Sequence, residues 1–188
     1  TSILKSVLGY VDTENYKYGE LFNEINANSG GILFGIQGFG DYKDNQDIRN
    51  MAGVKAKMLY DKVPFVFEMI KEILTTSVFD DEKRLYEIIA RMKSRLQMGL
   101  AQAGHSTAVK RALSYFSANA YYQEQIAGVE FYKVIDELES NFEAQKGELI
   151  SNLKTLMKLI FREENLTVSC TADEEGSKLV EKELTSFK

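Results

Sequence analysis

Residues 30–39 read GGILFGIQGF, and this stretch decides the fold class of the chain. It is a short apolar run, rich in Ile and Phe and bounded by Gly, which is typical of a buried strand rather than a helical turn. The next segment, 41–50, is polar and turn-like. Residues 54–60, VKAKMLY, then alternate cleanly, with Lys55 and Lys57 on one face and the apolar side chains on the other. We therefore predict two early strands whose sheet is covered on one side only.

A third strand is predicted near the C-terminus, over residues 165–172. The sequence NLTVSCTA alternates apolar and polar side chains, with Leu166, Val168, Cys170 and Ala172 on one face. Asp173 follows and is placed to cap a last helix that reaches Phe187.

Helical patterns account for most of the remaining chain. The first predicted helix presents Tyr18, Leu21, Phe22 and Ile25 on one face and stops at the pair Gly30-Gly31. The next is capped by Asp61, carries Pro64 in its first turn, and has an inward stripe of Val63, Phe67, Ile70 and Leu74.

A longer helix starts at Asp80 and ends near Gly104. Its apolar side chains keep a spacing of three and four residues: Leu85, Ile88, Ile89, Met92, Leu96 and Leu100. Further helices are predicted over 106–119, over 130–141, and up to Phe161. The element order predicts one α+β domain over residues 1–188, with a small, mostly antiparallel sheet packed against several long helices.

Composition restricts the classes of partner. A length of 188 residues suits one well-buried domain. The net charge of −5, with Lys and Arg scattered, argues against nucleic acid. No apolar stretch approaches the roughly 20 residues that cross a bilayer, so no membrane association is expected. The single cysteine, Cys170, fits a reducing compartment, and we expect a cytoplasmic location.

The residue inventory argues against catalysis by this chain. A hydrolytic zinc site needs three protein ligands, and the sequence offers one histidine and neither an H-x-x-E-H nor an H-E-x-x-H motif. No G-x-S-x-G elbow is present, and the glycines of residues 30–41 do not match a phosphate-binding pattern. We expect no catalytic residue, no metal ligand and no cofactor within this chain.

The one histidine, His105, lies at a predicted corner between two helices. Gly104 interrupts one helical pattern, and Ser106 offers a side chain that could cap the next. Two interpretations stay open for the corner Gly104, His105 and Ser106. It is either a structural elbow whose imidazole ring bonds to a backbone group, or a chamber-lining contact with a bound peptide or a neighbouring domain.

Three segments around this corner resemble a known family. Residues 103–139 (AGHSTAVKRALSYFSANAYYQEQIAGVEFYKVIDELE), 159–173 (LIFREENLTVSCTAD) and 8–32 (LGYVDTENYKYGELFNEINANSGGI) are similar to the peptidase-associated domain of presequence proteases. These belong to the pitrilysin and insulinase group of zinc metallopeptidases. The resemblance extends from about Ile3 to Glu174. Gly104 and His105 match the family's Ser-Gly-His corner and Gly128 matches its pattern, whereas Ala103 departs from it and puts in doubt any role for a serine there.

The resemblance implies the pitrilysin and mitochondrial-processing-peptidase fold and a place in a larger clamshell enzyme. Its zinc lies in the first of about four domains, and this chain resembles the third, which lacks the zinc ligands. We therefore expect a non-catalytic fragment of a zinc metalloendopeptidase, forming part of the wall that encloses small unstructured peptides. Its partners would be the remaining domains and the peptide substrate. The alternative is a stand-alone inactive scaffold of the same fold.

Overall fold

The computed structural model describes residues 1–41, 43, 44 and 46–187. In this part of the chain, helices strongly outnumber strands. The helices are α1 (Ser2–Val7), α2 (Tyr18–Asn28), α3 (Val63–Thr76), α4 (Glu82–Gln102), α5 (Gly104–Leu113), α6 (Ala118–Ala127), α7 (Val129–Ser140), α8 (Phe142–Ile160) and α9 (Glu174–Phe187). The strands are β1 (Ile32–Gly40) and β2 (Ile48–Ala56), and short 3₁₀ turns cover Tyr60–Lys62 and Glu163–Asn165.

The two strands form an antiparallel hairpin, which confirms the α+β class. Their register pairs Ile32 with Ala56 at the base and Gly40 with Ile48 at the tip. In the middle, Gly35 lies directly opposite Gly53, and a Cβ added to either glycine would meet no atom within 4 Å. The hairpin base lies near Gly9, where an added Cβ would come 3.7 Å from the Phe34 ring.

The predicted boundary of the second strand is partly wrong. Residues 48–50 were expected to lie in a turn, but they belong to β2, because the hairpin pairs all nine residues of β1. The alternation noticed from Val54 continues to Met58, which is half-buried. β2 itself ends at Ala56, so residues 57–60 of the predicted strand lie outside the sheet, and a 3₁₀ turn begins at Tyr60.

The third predicted strand is wrong. Residues 166–172 are exposed and pair with no strand within the described ranges. Alternation of apolar and polar residues is not sufficient to form a strand, because the backbone N–H and C=O groups must also hydrogen-bond to a neighbouring strand. The cap predicted at Asp173 is confirmed, because its Oδ1 accepts a hydrogen bond from the Gly176 backbone at 2.9 Å.

In α2 the predicted glycine stop is confirmed, but the predicted buried face is only half right. Leu21 and Ile25 are buried, whereas Tyr18 and Phe22 point to solvent. Gly31 has a φ of +106°, which a side chain would strain, so the predicted left-handed stop lies at this residue. It follows α2 by three residues rather than capping its last turn.

In α3 the predicted stripe is rotated by about one residue. Val66, Met69 and Ile73 are fully buried, together with the expected Val63. Pro64 lies in the first turn as predicted, but Lys62 rather than Asp61 is the N-cap residue. In α4 the predicted Leu85, Ile88 and Ile89 are buried, and the Asp81 side chain, one residue after the expected start, caps the helix by accepting from Arg84 N.

The helix predicted over 106–119 is two helices. α5 and α6 are separated by residues 114–117, and the Ser117 hydroxyl accepts a hydrogen bond from Ala120 N at 3.4 Å. Helices α7 and α8 lie where expected. Lys93 of α4 ties α7 to the core helices by ion pairs to Asp136 (2.7 Å) and Glu139 (3.1 Å), which raise the pKa of the Lys93 ammonium.

One hydrophobic cluster holds these elements together. It is formed by α1, the following loop, α2, α3, α4, α7 and α8, and its fully buried members include Val7, Leu8, Val11, Leu21, Met69, Ile73, Leu85, Ile89, Ile135 and Leu153. Outside this cluster, α9 packs on α3 through an edge-to-face contact of Phe67 and Phe187, with ring centroids 5.4 Å apart. Among the helices that the structure describes, none is both long and apolar enough to span a membrane.

Candidate functional site

The corner predicted around His105 exists, but it is tighter than expected. Helix α4 ends at Gln102 and α5 begins at Gly104, so Ala103 alone joins them. Ser106 lies inside the first turn of α5 and does not cap it, because the new helix has already started two residues earlier. The Thr107 hydroxyl instead donates to the Ala103 carbonyl at 3.1 Å.

His105 is an exposed residue near the N-terminus of α5. Within the described part of the chain, its ring makes no hydrogen bond, so the contact that the structural interpretation requires is not found there. Gly104 is not in a left-handed conformation, and a Cβ added to it would meet nothing within 4 Å. The structure places these two residues on an open surface rather than in a cleft.

Behind this surface lies a buried carboxylate that the sequence did not reveal. Glu124 of α6 is only 3% exposed. Its Oε1 accepts hydrogen bonds from Arg111 Nη1 at 3.1 Å and from the Val129 backbone at 3.0 Å. The carboxylate thereby links α5 to α6 and caps the N-terminus of α7, where negative charge is favourable.

Arg111 extends this network to the surface. Its Nη2 lies 3.0 Å from Glu130 Oε1, and its hydrogen bond to Glu124 raises the pKa of the guanidinium. The pKa of Glu130 is lowered, first by a hydrogen bond from Lys133, with the charge of Arg111 acting in the same direction. The guanidinium also lies 5.9 Å from the centroid of the Tyr115 ring.

Gly128, which joins α6 to α7, belongs to the same network. A Cβ added there would overlap the Glu124 carboxylate and lie 2.8 Å from the Glu124 carbonyl oxygen. Glycine is required at this position, because only a residue without a side chain leaves room for the buried carboxylate.

The outward side of α5 carries exposed apolar side chains. None of its residues, 104–113, is buried. Val109 is 58% exposed, Leu113 is 51% exposed, and Tyr115 in the following turn is 74% exposed. Arg111 on the inner side of α5 bonds to the buried Glu124, and this orientation of the helix leaves its apolar residues facing outward.

In the part of the chain that the structure describes, side chains able to bind a metal are not brought together. Within residues 1–41, 43, 44 and 46–187, no three His, Cys, Asp or Glu side chains are placed to hold a metal ion. Cys170 is exposed and lies in the segment before α9. Glu124, Arg111 and Glu130 form an ion-pair network that joins α5, α6 and α7.

Comparison with known proteins identifies this α+β domain as one associated with peptidases. A family model described as Peptidase M-16C associated matches residues 1–138. The chain belongs to this family, which confirms the resemblance read from its corner and its Gly stop.

Individual relatives agree with this placement. The chain is 34% identical over 173 residues to Protein HypA from Clostridium perfringens, a match that covers 92% of the chain and 18% of that protein. It is 28% identical over 189 residues to the mitochondrial presequence protease of Yarrowia lipolytica (98% of the chain, 19% of that protein). The corresponding protein of Drosophila melanogaster is 24% identical over 163 residues (86% and 15%). The chain thus spans less than a fifth of the length of these curated relatives.

Proposed function

We propose that this chain is a non-catalytic domain of a zinc-dependent metalloendopeptidase that degrades small unstructured peptides. In this proposal the domain forms part of the wall of a closed substrate chamber, and its partners are the remaining domains of the parent enzyme. Support comes from the family, which is associated with peptidases, and from relatives named presequence protease that are about five times longer.

The observation that carries the proposal is the supply of metal ligands. Hydrolytic zinc sites take three protein ligands, mostly His with a carboxylate, and leave a fourth position for water. This sequence contains one histidine, and it lies exposed at the start of α5. We therefore propose that zinc is held by another domain of the parent, where it would activate the attacking water.

The exposed apolar side chains support the role as a wall. Contiguous exposed apolar surface on a folded domain marks a place where another polypeptide packs. Here such side chains occur on the outer face of the hairpin, at Leu33 and Phe39, and again on α5. Surfaces of this kind suit a domain that meets both neighbouring domains and enclosed peptides.

Zinc analysis and a peptidase assay on the 188-residue chain test this proposal. We expect elemental analysis to find far less than one zinc per chain, and we expect no hydrolysis of a fluorogenic peptide above the blank. Co-expression with the rest of the natural parent gene should give peptidase activity. Stoichiometric zinc, or turnover that His105→Ala abolishes, would refute it, and a natural gene encoding only this domain would favour a scaffold.

A further inference from the structure

Helix α5 has the opposite arrangement from an ordinary surface helix. A surface helix normally turns its apolar stripe to the core and its charges to water. In α5 the charged Arg111 points inward to the buried Glu124, while Val109 and Leu113 point to solvent. The ion pair fixes this rotation, because turning α5 would leave the Glu124 carboxylate buried without its cation.

The exposed apolar residues form a continuous surface. His105, Val109 and Leu113 follow one another at intervals of four residues and so lie on one face of the helix. Tyr115, in the following turn, lies instead on the side of Arg111, with its ring centroid 5.9 Å from the guanidinium. We call His105, Val109 and Leu113 the α5 stripe. Its side chains stand on a rigid element, so little ordering remains to be done when a partner binds.

The chain segment that carries the α5 stripe is rich in positive charge, although the protein is acidic. Residues 88–123 contain five Lys or Arg and no Asp or Glu, although the whole chain has a net charge of −5. Lys93 and Arg111 are paired to acids of α6 and α7. Lys110 is exposed beside the stripe and has no ion pair among the described residues.

We propose that the α5 stripe is a docking surface for a peptide segment that carries apolar side chains flanked by carboxylates. Val109 and Leu113 supply the apolar contact, and Lys110 attracts the carboxylates. This proposal rests on the function proposed above, and it adds the chemistry of the peptide that this wall receives. Anionic membranes are recognised by clusters of about four to eight Lys or Arg, and a single lysine beside the stripe fits a peptide better.

Fluorescence anisotropy of a labelled peptide built from Leu, Glu and Gly tests the proposal on the 188-residue chain. We expect binding that weakens with added salt, and about tenfold weaker binding of a matched peptide with Lys in place of Glu. The double change Val109→Ser with Leu113→Ser should weaken binding of the Glu peptide about tenfold or more. The matched control is Val134→Ser, an equally exposed valine on α7, which should leave binding unchanged.

A charge reversal supplies a second test. Lys110→Glu should reverse the preference between the two peptides, whereas Lys71→Glu on the surface of α3 should not. Because all these residues are exposed, circular dichroism and urea midpoints should match those of the unaltered chain. Equal binding of both peptides, no effect of the Val109 and Leu113 changes, or binding only to vesicles of phosphatidylcholine and phosphatidylserine would overturn the proposal. Such a failure would leave the zinc and peptidase results, and hence the proposed function, untouched.

Discussion

The carboxylate of Glu124 fills the space that a side chain at Gly128 would need. Glu124 is held there by Arg111 from α5 and by the first backbone N–H of α7, at Val129. One buried acid therefore fixes the positions of three consecutive helices. The backbone of Gly128 has φ −97° and ψ −157°, a conformation that any residue could adopt. Glycine is therefore needed here for the space that the Glu124 carboxylate occupies, and not for its backbone conformation.

We expect Gly128→Ala to destabilise the domain by about 2 kcal/mol or more, because the added methyl group overlaps the Glu124 carboxylate. Urea unfolding followed by circular dichroism measures the change. The matched control is Gly147→Ala in the middle of α8, where an added Cβ meets nothing within 4 Å. There we expect a gain of about 0.5–1 kcal/mol, since alanine favours a helix. Gly128→Ala with unchanged stability would contradict the packing described.

Replacing the buried acid tests the ion pair itself. Glu124→Gln keeps the shape of the side chain but removes its charge, so we expect a loss of about 1–3 kcal/mol in the free energy of unfolding. Glu174→Gln removes an exposed acid that is paired with Lys178 on α9 and should change stability by less than about 0.5 kcal/mol. If the two changes cost the same, the Glu124 pair is not a major determinant of stability.

The stability that Asp173 contributes should depend on pH. Hydrogen bonds from Gly176 N and from the Tyr60 hydroxyl lower the pKa of this carboxyl below its ordinary value of 3.8. A lowered pKa in the folded state gives stability that is present above the unfolded value and is lost as the pH falls through the folded one. Asp173→Asn keeps the accepting oxygen without the charge. The unaltered protein should therefore lose its advantage in urea midpoint over Asp173→Asn as the pH falls below about 4. A difference in midpoint that stays constant with pH would contradict this.

His105 should be dispensable for folding. Its ring is exposed and has no hydrogen bond among the described residues, so His105→Ala should change the free energy of unfolding by less than about 0.5 kcal/mol. Thermal unfolding of the two proteins side by side measures this. A loss well above that value would restore the interpretation of this residue as a structural elbow.

The sequence predicted those features that neighbouring residues determine. The stripe of Leu85, Ile88 and Ile89, the place of Pro64 and the cap at Asp173 are local signals, and all three are confirmed. The strand expected over 165–172 failed because a strand depends on a partner distant in sequence. The start of β2 was missed for a related reason, since its first residues are extended only through pairing with the far end of β1.

The sequence predicted the break between two helices at this corner, but not the buried acid next to it. The corner at Gly104 and His105 is present, because helical periodicity and a glycine signal a break between helices. Nothing in the local pattern distinguishes Glu124 from an ordinary surface glutamate, since its burial arises from Arg111 thirteen residues earlier and Gly128 four residues later. Roles that side chains acquire through packing between helices are not visible in periodicity.

The facing glycines Gly35 and Gly53 separate the base of the hairpin from its tip. At this position no side chains face each other across the strands, so the cross-strand contact that stiffens a sheet is missing. The base is held near Gly9 through Phe34, and the tip is held against α6, where an added Cβ at Gly38 would come 2.6 Å from Asn119 Oδ1. We therefore expect any bending of the hairpin to concentrate at this pleat, so that its base would follow the segment around Gly9 and its tip would follow α6.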